Sequence, residues 1–321
     1  MELNSKKTKV MIFNEWEESR RYLPFTFEDQ IKILGIVFTK QSDDMCKANW
    51  PKIVNEIQGV LAENNVRNFN LLQRVWFIKI YALSKLWFAA QVLPLTKEFA
   101  DQIKRAMYRF LWAGNMFKTS FRVCCDPESK GGLGLTDPYA KCMALFTGRW
   151  MSNAIKLENN FSGEWLCTLS TVYPFQKMEE LKKVKKDLEY FKKYSEIRAL
   201  GVPIETECAP RAIYEFLLNR VKSVVRVERI SPQVKWQSVW KLLSHAKTSP
   251  EQKSMWCFLV HDLMVTKVKL KSINRSGNDV CEKCGERDTH VHRITVCDGG
   301  DLIWPRVKRV IAKLFNVPKI P

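Results

Sequence analysis

One short segment near the end of the chain has the residue types and spacing of a metal site. It reads CEKCGERDTHVHRITVC, and its first letter is Cys281. Cys284 follows after two residues and Cys297 closes the segment, with His290 and His292 between these two cysteines. Three thiolates and one imidazole form the ligand set of a tetrahedral zinc site. Either histidine could supply the imidazole. Because protein would fill all four positions, the predicted zinc is structural and not hydrolytic.

The remaining chemistry-bearing residues form no comparable pattern. A zinc deaminase would carry an H-x-E motif before a P-C-x-x-C motif, and the chain has neither. The phosphate-binding pattern GxxxxGK[ST] is also absent. His245 and His261 stand alone in helical stretches. The other seven of the ten cysteines have no regular spacing, so we expect reduced core residues at Cys46, Cys124, Cys125, Cys142, Cys167, Cys208 and Cys257.

The charge of the chain indicates a polyanionic partner. The 52 lysines and arginines outnumber the 34 aspartates and glutamates, and the net charge is +18. A chain this basic typically meets nucleic acid or another anionic surface. The alternative is a protein whose helices merely carry solvated, lysine-rich faces. Apolar residues make up 46% of the chain, which excludes wholesale disorder.

Targeting signals and membrane spans are not apparent in the sequence. The longest uncharged run covers only the 12 residues 165–176, whereas a membrane helix needs roughly 20 apolar residues. The opening decapeptide MELNSKKTKV has no apolar signal-peptide core. We therefore expect no membrane partner and an intracellular protein, nuclear or cytoplasmic, that is not secreted.

Periodicity predicts a mainly α-helical protein with two short strands at its start. The strand-like runs cover residues 10–13 and 31–38, and Gly35 would permit a bulge or a close approach in the second. Apolar residues then recur at helical spacing from Met45 onwards, from Phe69 to Leu83, and over a helix of about 97–112. Three such helices would form a small bundle.

The second half of the chain continues the helical pattern. Residues 113–137 are expected to be a connection, and further helices are expected over 138–150, 177–200 and 236–270. The alternating run RVKSVVRVER at 220–229 instead favours a half-buried strand with one basic face.

The order of several segments resembles the C-terminal portion of the reverse transcriptase of non-LTR (LINE-type, jockey-like) retrotransposons. LNSKKTKVMIFN is similar to the end of the family's palm, and IKILGI (31–36) resembles its primer grip. NFNLLQRVWFIKIYALSKLWFAAQVLPL (68–95) resembles the thumb, and FLW (110–112) and GGLGLTD (131–137) resemble the region after it. WCFLVHDLMVTKVKL, followed by the cysteine-rich segment, resembles the terminal CCHC zinc knuckle.

The resemblance implies RNA-directed DNA synthesis, with RNA and DNA (template-primer and target site) as partners. The resemblance places Leu34 and Gly35 at the primer grip and Lys6 and Lys7 near a lysine-bearing loop beside the catalytic centre. It favours His292 over His290 as the fourth zinc ligand. From charge and position we add candidate phosphate contacts in the thumb-like segment: Arg74, Lys79, Lys85, Lys104, Arg105 and Arg109.

The catalytic carboxylates of that family are missing. Polymerases hold two divalent metals on paired carboxylates, which the family takes from an earlier aspartate and a [YF]-x-D-D turn. The single Asp-Asp pair here, Asp43-Asp44, follows the primer-grip match and has no aromatic residue before it, so we interpret it as a helix-capping or loop pair. The chain is therefore expected to be a truncated element without polymerase activity of its own, and to use Mg²⁺ only with a complete palm.

These observations predict four parts. They are the end of the palm with the primer-grip strands (1–44), a thumb-like helical bundle (45–125), a helical connector (126–270), and the zinc knuckle with a terminal basic helix (271–321). The missing palm and fingers of the same polyprotein are an expected partner. The alternative function is that of a decayed or host-co-opted element copy that acts as a non-enzymatic interaction protein.

Overall fold

The computed structural model describes residues 8–11, 25–148, 209–219, 225–230, 232–297, 305 and 309. Within these residues the protein is mainly helical, with a few short strands, as the sequence predicts. The predicted helix at 177–200 and the residues Lys6 and Lys7 lie outside the described residues. The predicted four-part division stays a prediction. No helix in the described part of the chain is both long enough and apolar enough to cross a membrane.

The helices of the described residues are numbered in chain order. In chain order they are α1 (Ser42–Glu63), α2 (Leu71–Phe77), α3 (Ser84–Trp87), α4 (Lys97–Trp112), α5 (Phe121–Cys125), α6 (138–148), α7 (Ala209–Asn219), α8 (Arg226–Ile230), α9 (Trp236–His245), α10 (Pro250–Val260) and α11 (Lys267–Ser272). Segments of π-helix cover Ile78–Ala82 and His292–Val296, and 3₁₀ turns cover Ala89–Gln91 and Glu128–Lys130.

These elements form two compact units. Unit 1 contains the described residues up to Phe69, those from Gln73 to Ala113 and those from Leu133 to Asn219. Unit 2 contains Asn70–Leu72, Gly114–Gly132 and the described residues from Val225 onwards.

The strands lie in unit 1 and form two separate pairs. β1 (Lys9–Val10) pairs in parallel with β2 (Thr26–Phe27), and β3 (Gln30–Ile33) pairs antiparallel with β4 (Ile36–Thr39). The single strand predicted over 31–38 is therefore a hairpin. Its two-residue loop, Leu34-Gly35, has φ values of 48° and 88°, the positive values that tight hairpin loops require.

The core of unit 1 confirms the predicted apolar stripes of α1 and α4, whereas Trp76 and Ile80 of the predicted stripe from Phe69 to Leu83 are exposed. α1 packs against α4, and the predicted helix of 97–112 is present as α4 at both ends. Its inward positions, among them Ile103, Met107 and Leu111, are buried, as are Trp50 and Ile57 of α1. Burial of these side chains is the main source of stability for such an amphipathic pair.

Asn49 ties the hairpin to α1. Its side-chain amide donates to the Val37 carbonyl at 2.7 Å, and its Oδ1 accepts the Val37 N–H at 2.9 Å. The side chain thus replaces a neighbouring strand on the outer edge of β4.

The Asp43-Asp44 pair lies in the first turn of α1, after the N-cap Gln41, so the expected cap or loop is corrected to a helical position. The carboxylate of Asp44 in this turn is favoured by the helix dipole.

Unit 2 is organised around Trp240. The indole packs with Val123 and Val225, and its Nε1 donates to Glu228 Oε1 at 2.8 Å. The strand predicted over 220–229 is wrong in its described part, because Arg226–Ile230 is the helix α8. A short alternating run does not distinguish the two states, and the Glu228–Trp240 contact favours the helix.

The expected connection at 113–137 contains structure of its own. It forms α5, which Ser120 caps by accepting the Val123 N–H, and then the 3₁₀ turn Glu128–Lys130. The chain leaves this turn through Gly131, which lies against the Trp240 indole, and Gly132, which lies against the backbone of Asp126. A Cβ built at Gly131 would lie 2.6 Å from the Trp240 ring, and one at Gly132 would lie 1.9 Å from the Asp126 carbonyl oxygen. Only glycine fits at these two positions.

Candidate functional site

A tight turn presents the first two cysteines. The N–H of Gly285 donates to the Cys281 carbonyl at 2.9 Å, and the N–H of Cys281 donates to the Glu286 carbonyl at 2.7 Å. Gly285 has a φ of 78°, which other residues adopt at a cost. A β-bridge between Val280 and Arg287 closes the turn. The two thiols separated by two residues are therefore held on one loop.

A π-helical segment presents the other two ligands. His292 begins the segment, with its N–H bonded to Thr289 Oγ1 at 3.0 Å. The N–H of Cys297 donates to the His292 carbonyl at 2.8 Å. This hydrogen bond joins residues five positions apart, which is the π-helical repeat. The four-residue spacing between His292 and Cys297 thus corresponds to one π turn.

The four predicted ligands converge. The donor atoms of Cys281, Cys284, His292 and Cys297 all lie within 4.8 Å of one another. Sγ of Cys297 is 3.6 Å from Sγ of Cys281 and 4.0 Å from Sγ of Cys284, whose sulfur is 3.1 Å from Nε2 of His292. A tetrahedral ion with Zn–S bonds of about 2.3 Å separates its sulfurs by roughly 3.8 Å. The observed spacing fits an ion of that size, so the group could hold a metal.

Two thiols of the cluster have pKa values shifted in opposite directions. Hydrogen bonds from the Lys283 backbone N–H and from His292 lower the pKa of Cys281 to about 6. Desolvation, followed by the neighbouring thiols of Cys281 and Cys284, raises the pKa of Cys297 to about 11. Cys281 therefore ionises before Cys297, and its negative charge opposes the ionisation of Cys297. A bound dication would offset the repulsion between the thiolate charges, since metal binding requires deprotonated thiols and releases their protons.

Asp288 and Arg293 connect the cluster to α11. Asp288 is 1% exposed and accepts two hydrogen bonds from Arg293, at 2.5 and 2.6 Å, in a bidentate ion pair. Its Oδ2 also accepts the N–H of Lys267, in the first turn of α11, at 2.6 Å. Arg293 donates further to the Val265 carbonyl at 3.0 Å. The spacing of the cysteines gives no signal for this support, which only the folded chain reveals.

His290 is not part of the cluster. Its Nδ1 lies 2.9 Å from Asp262 Oδ1, which is also 2.6 Å from the Lys269 ammonium. The structure therefore groups the thiols with His292, the imidazole that the resemblance favours, and not with His290.

Most basic side chains around the cluster have acidic partners. Lys267 pairs with Glu282 at 2.8 Å and Lys271 pairs with Asp279 at 2.8 Å. Arg287 lies 3.6 Å from the same Asp279. These pairs, together with Arg293–Asp288 and Lys269–Asp262, neutralise much of the local positive charge.

Arg74, one of the six candidate phosphate contacts, is buried in unit 1. Its side chain is 7% exposed and donates to the carbonyls of Phe69, Arg67 and Phe110 and to Asn65 Oδ1 at 3.0–3.2 Å. The guanidinium also lies 5.0 Å from the centre of the Phe110 ring. Burial lowers the pKa of the Arg74 guanidinium. Its donors are used inside the protein, so we correct its expected role to a structural one.

The other candidate contacts differ in their partners. Lys79 donates to the Gly134 carbonyl at 3.3 Å and Lys85 lies 3.5 Å from Glu56. Lys104 pairs with Asp137 at 3.1 Å. Arg105 and Arg109 are exposed on α4, four positions apart and hence on one face.

The primer-grip candidates lie at the tip of the hairpin. Leu34 is 81% exposed and Gly35 completes the loop. The exposure of this one leucine does not by itself indicate a partner, because single exposed apolar residues are common on protein surfaces.

Known families do not identify the chain. No family model matches it. The resemblance to a reverse transcriptase therefore rests on the order of the sequence segments alone.

Proposed function

We propose that the chain binds nucleic acid as the C-terminal part of a non-LTR retrotransposon reverse transcriptase, with Zn²⁺ in its Cys₃His centre. The observation that carries the proposal is the convergence of Cys281, Cys284, His292 and Cys297. The same four residues end the ordered series of segments that resembles the family. The net charge of +18 supports a polyanionic partner independently of that series.

Zinc is the ion that best suits this donor set. Thiolates and imidazoles select soft or borderline ions, and a tetrahedral Cys₃His group is a frequent structural zinc site. When bound, the ion would supply a cross-link between two segments and no reactive water, because protein fills every position. The chain itself provides the turn around Gly285, the π-helical turn and the Asp288–Arg293 pair, which hold the ligands in place.

Polymerase chemistry is not proposed for this chain alone. The sequence has no paired carboxylates in a [YF]-x-D-D turn, which the family uses to hold two divalent metals. We propose that a palm and fingers portion, with its Mg²⁺, would have to act together with this chain. Purified protein should then incorporate no nucleotide on an oligo(dT)-primed poly(A) template, and incorporation would contradict the proposal.

Nucleic-acid binding is tested by fluorescence anisotropy with labelled RNA and DNA at several KCl concentrations. We expect affinity to fall linearly with salt on a double-logarithmic scale, by about one unit of slope for each phosphate contacted. A chain with no measurable binding at 50 mM KCl would contradict the proposal and favour the alternative of an interaction protein.

The zinc assignment is tested by metal analysis of the purified protein and of Cys284→Ser. We expect one zinc per chain in the wild type and much less in the variant, since a thiolate ligand is lost. Wild-type protein that is folded but holds no zinc, even after incubation with the ion, would overturn the assignment without affecting the binding test.

A further inference from the structure

We propose that unit 2 carries a phosphate-binding surface where the 3₁₀ turn Glu128–Lys130, α8 and α9 meet at Trp240. This inference rests on the proposed nucleic-acid function and locates a part of it outside the thumb-like helices. We call the site the Trp240 surface and define it by Lys130, Arg226, Arg229 and Lys241.

Trp240 brings the three elements together. The 3₁₀ turn packs against α9, and Gly131, which follows the turn, lies against the Trp240 ring. α8 is held by the bond from Trp240 Nε1 to Glu228 at 2.8 Å. The indole itself stacks with two further rings, whose centroids are 5.5 Å away at Trp236 and 5.6 Å away at His261. The positions of the three backbones are therefore defined by one buried side chain.

Each of the three elements carries basic side chains that point into solvent. Lys130 ends the 3₁₀ turn, Arg226 and Arg229 occupy neighbouring positions of α8, and Lys241 follows Trp240 in α9. All four side chains are exposed. Arg226 and Arg229 are three positions apart and so share one face of their helix.

Two acidic groups near the surface, Glu228 and Asp126, have other partners, and Glu128 lies in the same 3₁₀ turn as Lys130. Glu228 accepts the Trp240 indole N–H, and the buried Asp126 pairs with Arg122 at 2.9 Å. Among the described residues, none of the four exposed cations has a carboxylate within ion-pair distance. Unpaired exposed cations attract phosphate more strongly than those already neutralised by a carboxylate.

The basic side chains around the Cys₃His cluster differ from those of the Trp240 surface in having acidic partners. The lysines and arginines around the cluster are largely paired with aspartates and glutamates, as described above. Near the metal-binding turn five of the lysines and arginines are paired and Lys283 is exposed without an ion pair, whereas all four cations of the Trp240 surface lack a carboxylate partner among the described residues. We expect the metal to order unit 2 and the Trp240 surface to bind the phosphodiester backbone.

The test compares two triple variants of the full chain. In K130Q/R226Q/R229Q the Trp240 surface loses three charges, and in the control K52Q/R67Q/R275Q three other exposed cations are removed. Both lower the net charge equally. The salt dependence of binding to a labelled RNA hairpin and to a DNA duplex is measured by anisotropy. A third variant, K130R/R226K/R229K, keeps the charge and shows whether the substitutions themselves disturb folding.

We expect the slope of log affinity against log salt to become shallower by about two to three in the surface variant, since each lost phosphate contact removes about one unit. The control should change the slope by less than about one. The charge-preserving variant should match the wild type. Equal effects of the two neutralising variants would overturn the inference, because only net charge would then matter.

Three further outcomes are distinguishable. Wild-type binding that is intact, with an unchanged slope in the surface variant, overturns the Trp240 surface and leaves the proposed function standing. If the wild type binds neither probe, both proposals fail. A variant that loses binding to phosphatidylserine vesicles while its nucleic-acid binding is unchanged would assign the surface to an anionic membrane and overturn the inference.

Discussion

His290 and His292 are two positions apart and have different partners, which makes them a matched pair for substitution. His292 points its Nε2 at Cys284, whereas His290 contacts Asp262. Spacing alone leaves both as candidate ligands, because the chain between them is too short to fix which imidazole faces the thiols. The π-helical turn fixes this choice, and no pattern in the sequence predicts that turn.

We expect His292→Asn to weaken zinc binding by more than about 100-fold. Loss of a residue that only hydrogen-bonds to a metal ligand typically costs 10–100-fold in affinity, and loss of a ligand itself should cost more. His290→Asn should keep its affinity within about tenfold of the wild type, since Asp262 retains its contact with Lys269. Competition with a chromophoric chelator measures both constants. Equal losses in the two variants would contradict the ligand assignment.

The charge of Arg74 suggests a phosphate contact, whereas its buried surroundings give it a structural role. We expect Arg74→Ala to lower the free energy of unfolding by about 3 kcal/mol, since it leaves buried carbonyls without donors. Arg105→Ala, which removes an exposed side chain of α4, should change it by no more than about 0.5 kcal/mol. Urea-induced unfolding measures both. A small effect at Arg74 would mean that water replaces its hydrogen bonds.

At the scale of elements, the sequence predicts long amphipathic helices well and short segments poorly. Both ends of α4 are predicted to the residue, because apolar residues recur at helical spacing over all sixteen of its positions. The five-residue helix α8 is mistaken for a strand, because alternation over so short a run fits either state. The hairpin at Leu34-Gly35 is missed as a turn, although its glycine marks the place.

The glycine pair after the 3₁₀ turn gives a prediction for the packing of these elements. We expect Gly132→Ala to destabilise unit 2 by more than about 3 kcal/mol, since its Cβ would meet the Asp126 backbone. Gly59→Ala is the control. Nothing lies within 4 Å of a Cβ there, and alanine in the interior of α1 should stabilise by about 0.5–1 kcal/mol. Thermal unfolding, monitored by circular dichroism, shows whether each variant is less or more stable than the wild type.

His261 links the packing of unit 2 to pH. Burial lowers the pKa of the His261 imidazole, and a hydrogen bond to the Gly131 carbonyl only partly opposes this. The folded state therefore keeps the neutral ring, whereas the unfolded chain binds a proton below about pH 6.5. Its contribution to stability is present above that pH and is lost as the pH falls towards the folded pKa.

We therefore expect the urea midpoint of the wild type to fall more between pH 7.5 and 5.5 than that of His261→Gln. His245→Gln changes an imidazole at the solvent-facing end of α9 and should follow the wild type. Both comparisons are made with zinc present, so that any acid-induced loss of metal is common to all three proteins. Parallel pH profiles for the wild type and His261→Gln would refute this role of the ring.

At the scale of the whole molecule, composition predicts the sign of the charge but not its distribution. The value of +18 is read directly from the sequence. Whether a lysine is neutralised depends on partners that are distant in the chain, such as Glu56 for Lys85 and Asp137 for Lys104. The metal cluster could be predicted because its ligands are close in sequence. The Trp240 surface could not, because Lys130 is distant in the chain from Arg226, Arg229 and Lys241, and the spacing of these four residues follows no pattern.

The metal should order unit 2 selectively. The ligand-bearing turn is joined to α11 through Asp288, and α11 is capped by Thr266, whose Oγ1 accepts the Lys269 N–H. All of these residues belong to unit 2, so we expect a chelator to lower amide hydrogen-exchange protection in α11 and in the turn. Protection in α1 and α4, whose core lies in unit 1, should stay within about twofold of its value before chelation.

Mass-spectrometric hydrogen exchange before and after treatment with a zinc chelator measures this difference, and re-addition of zinc provides the control for irreversible damage. Recovery of protection in α11 on re-addition attributes the change to the metal. Because metal binding to a short segment supplies much of its folding free energy, a large and local response is expected. Loss of protection throughout both units would instead mean that the metal supports the whole fold, and an unchanged α11 would mean that Asp288 holds the helix without it.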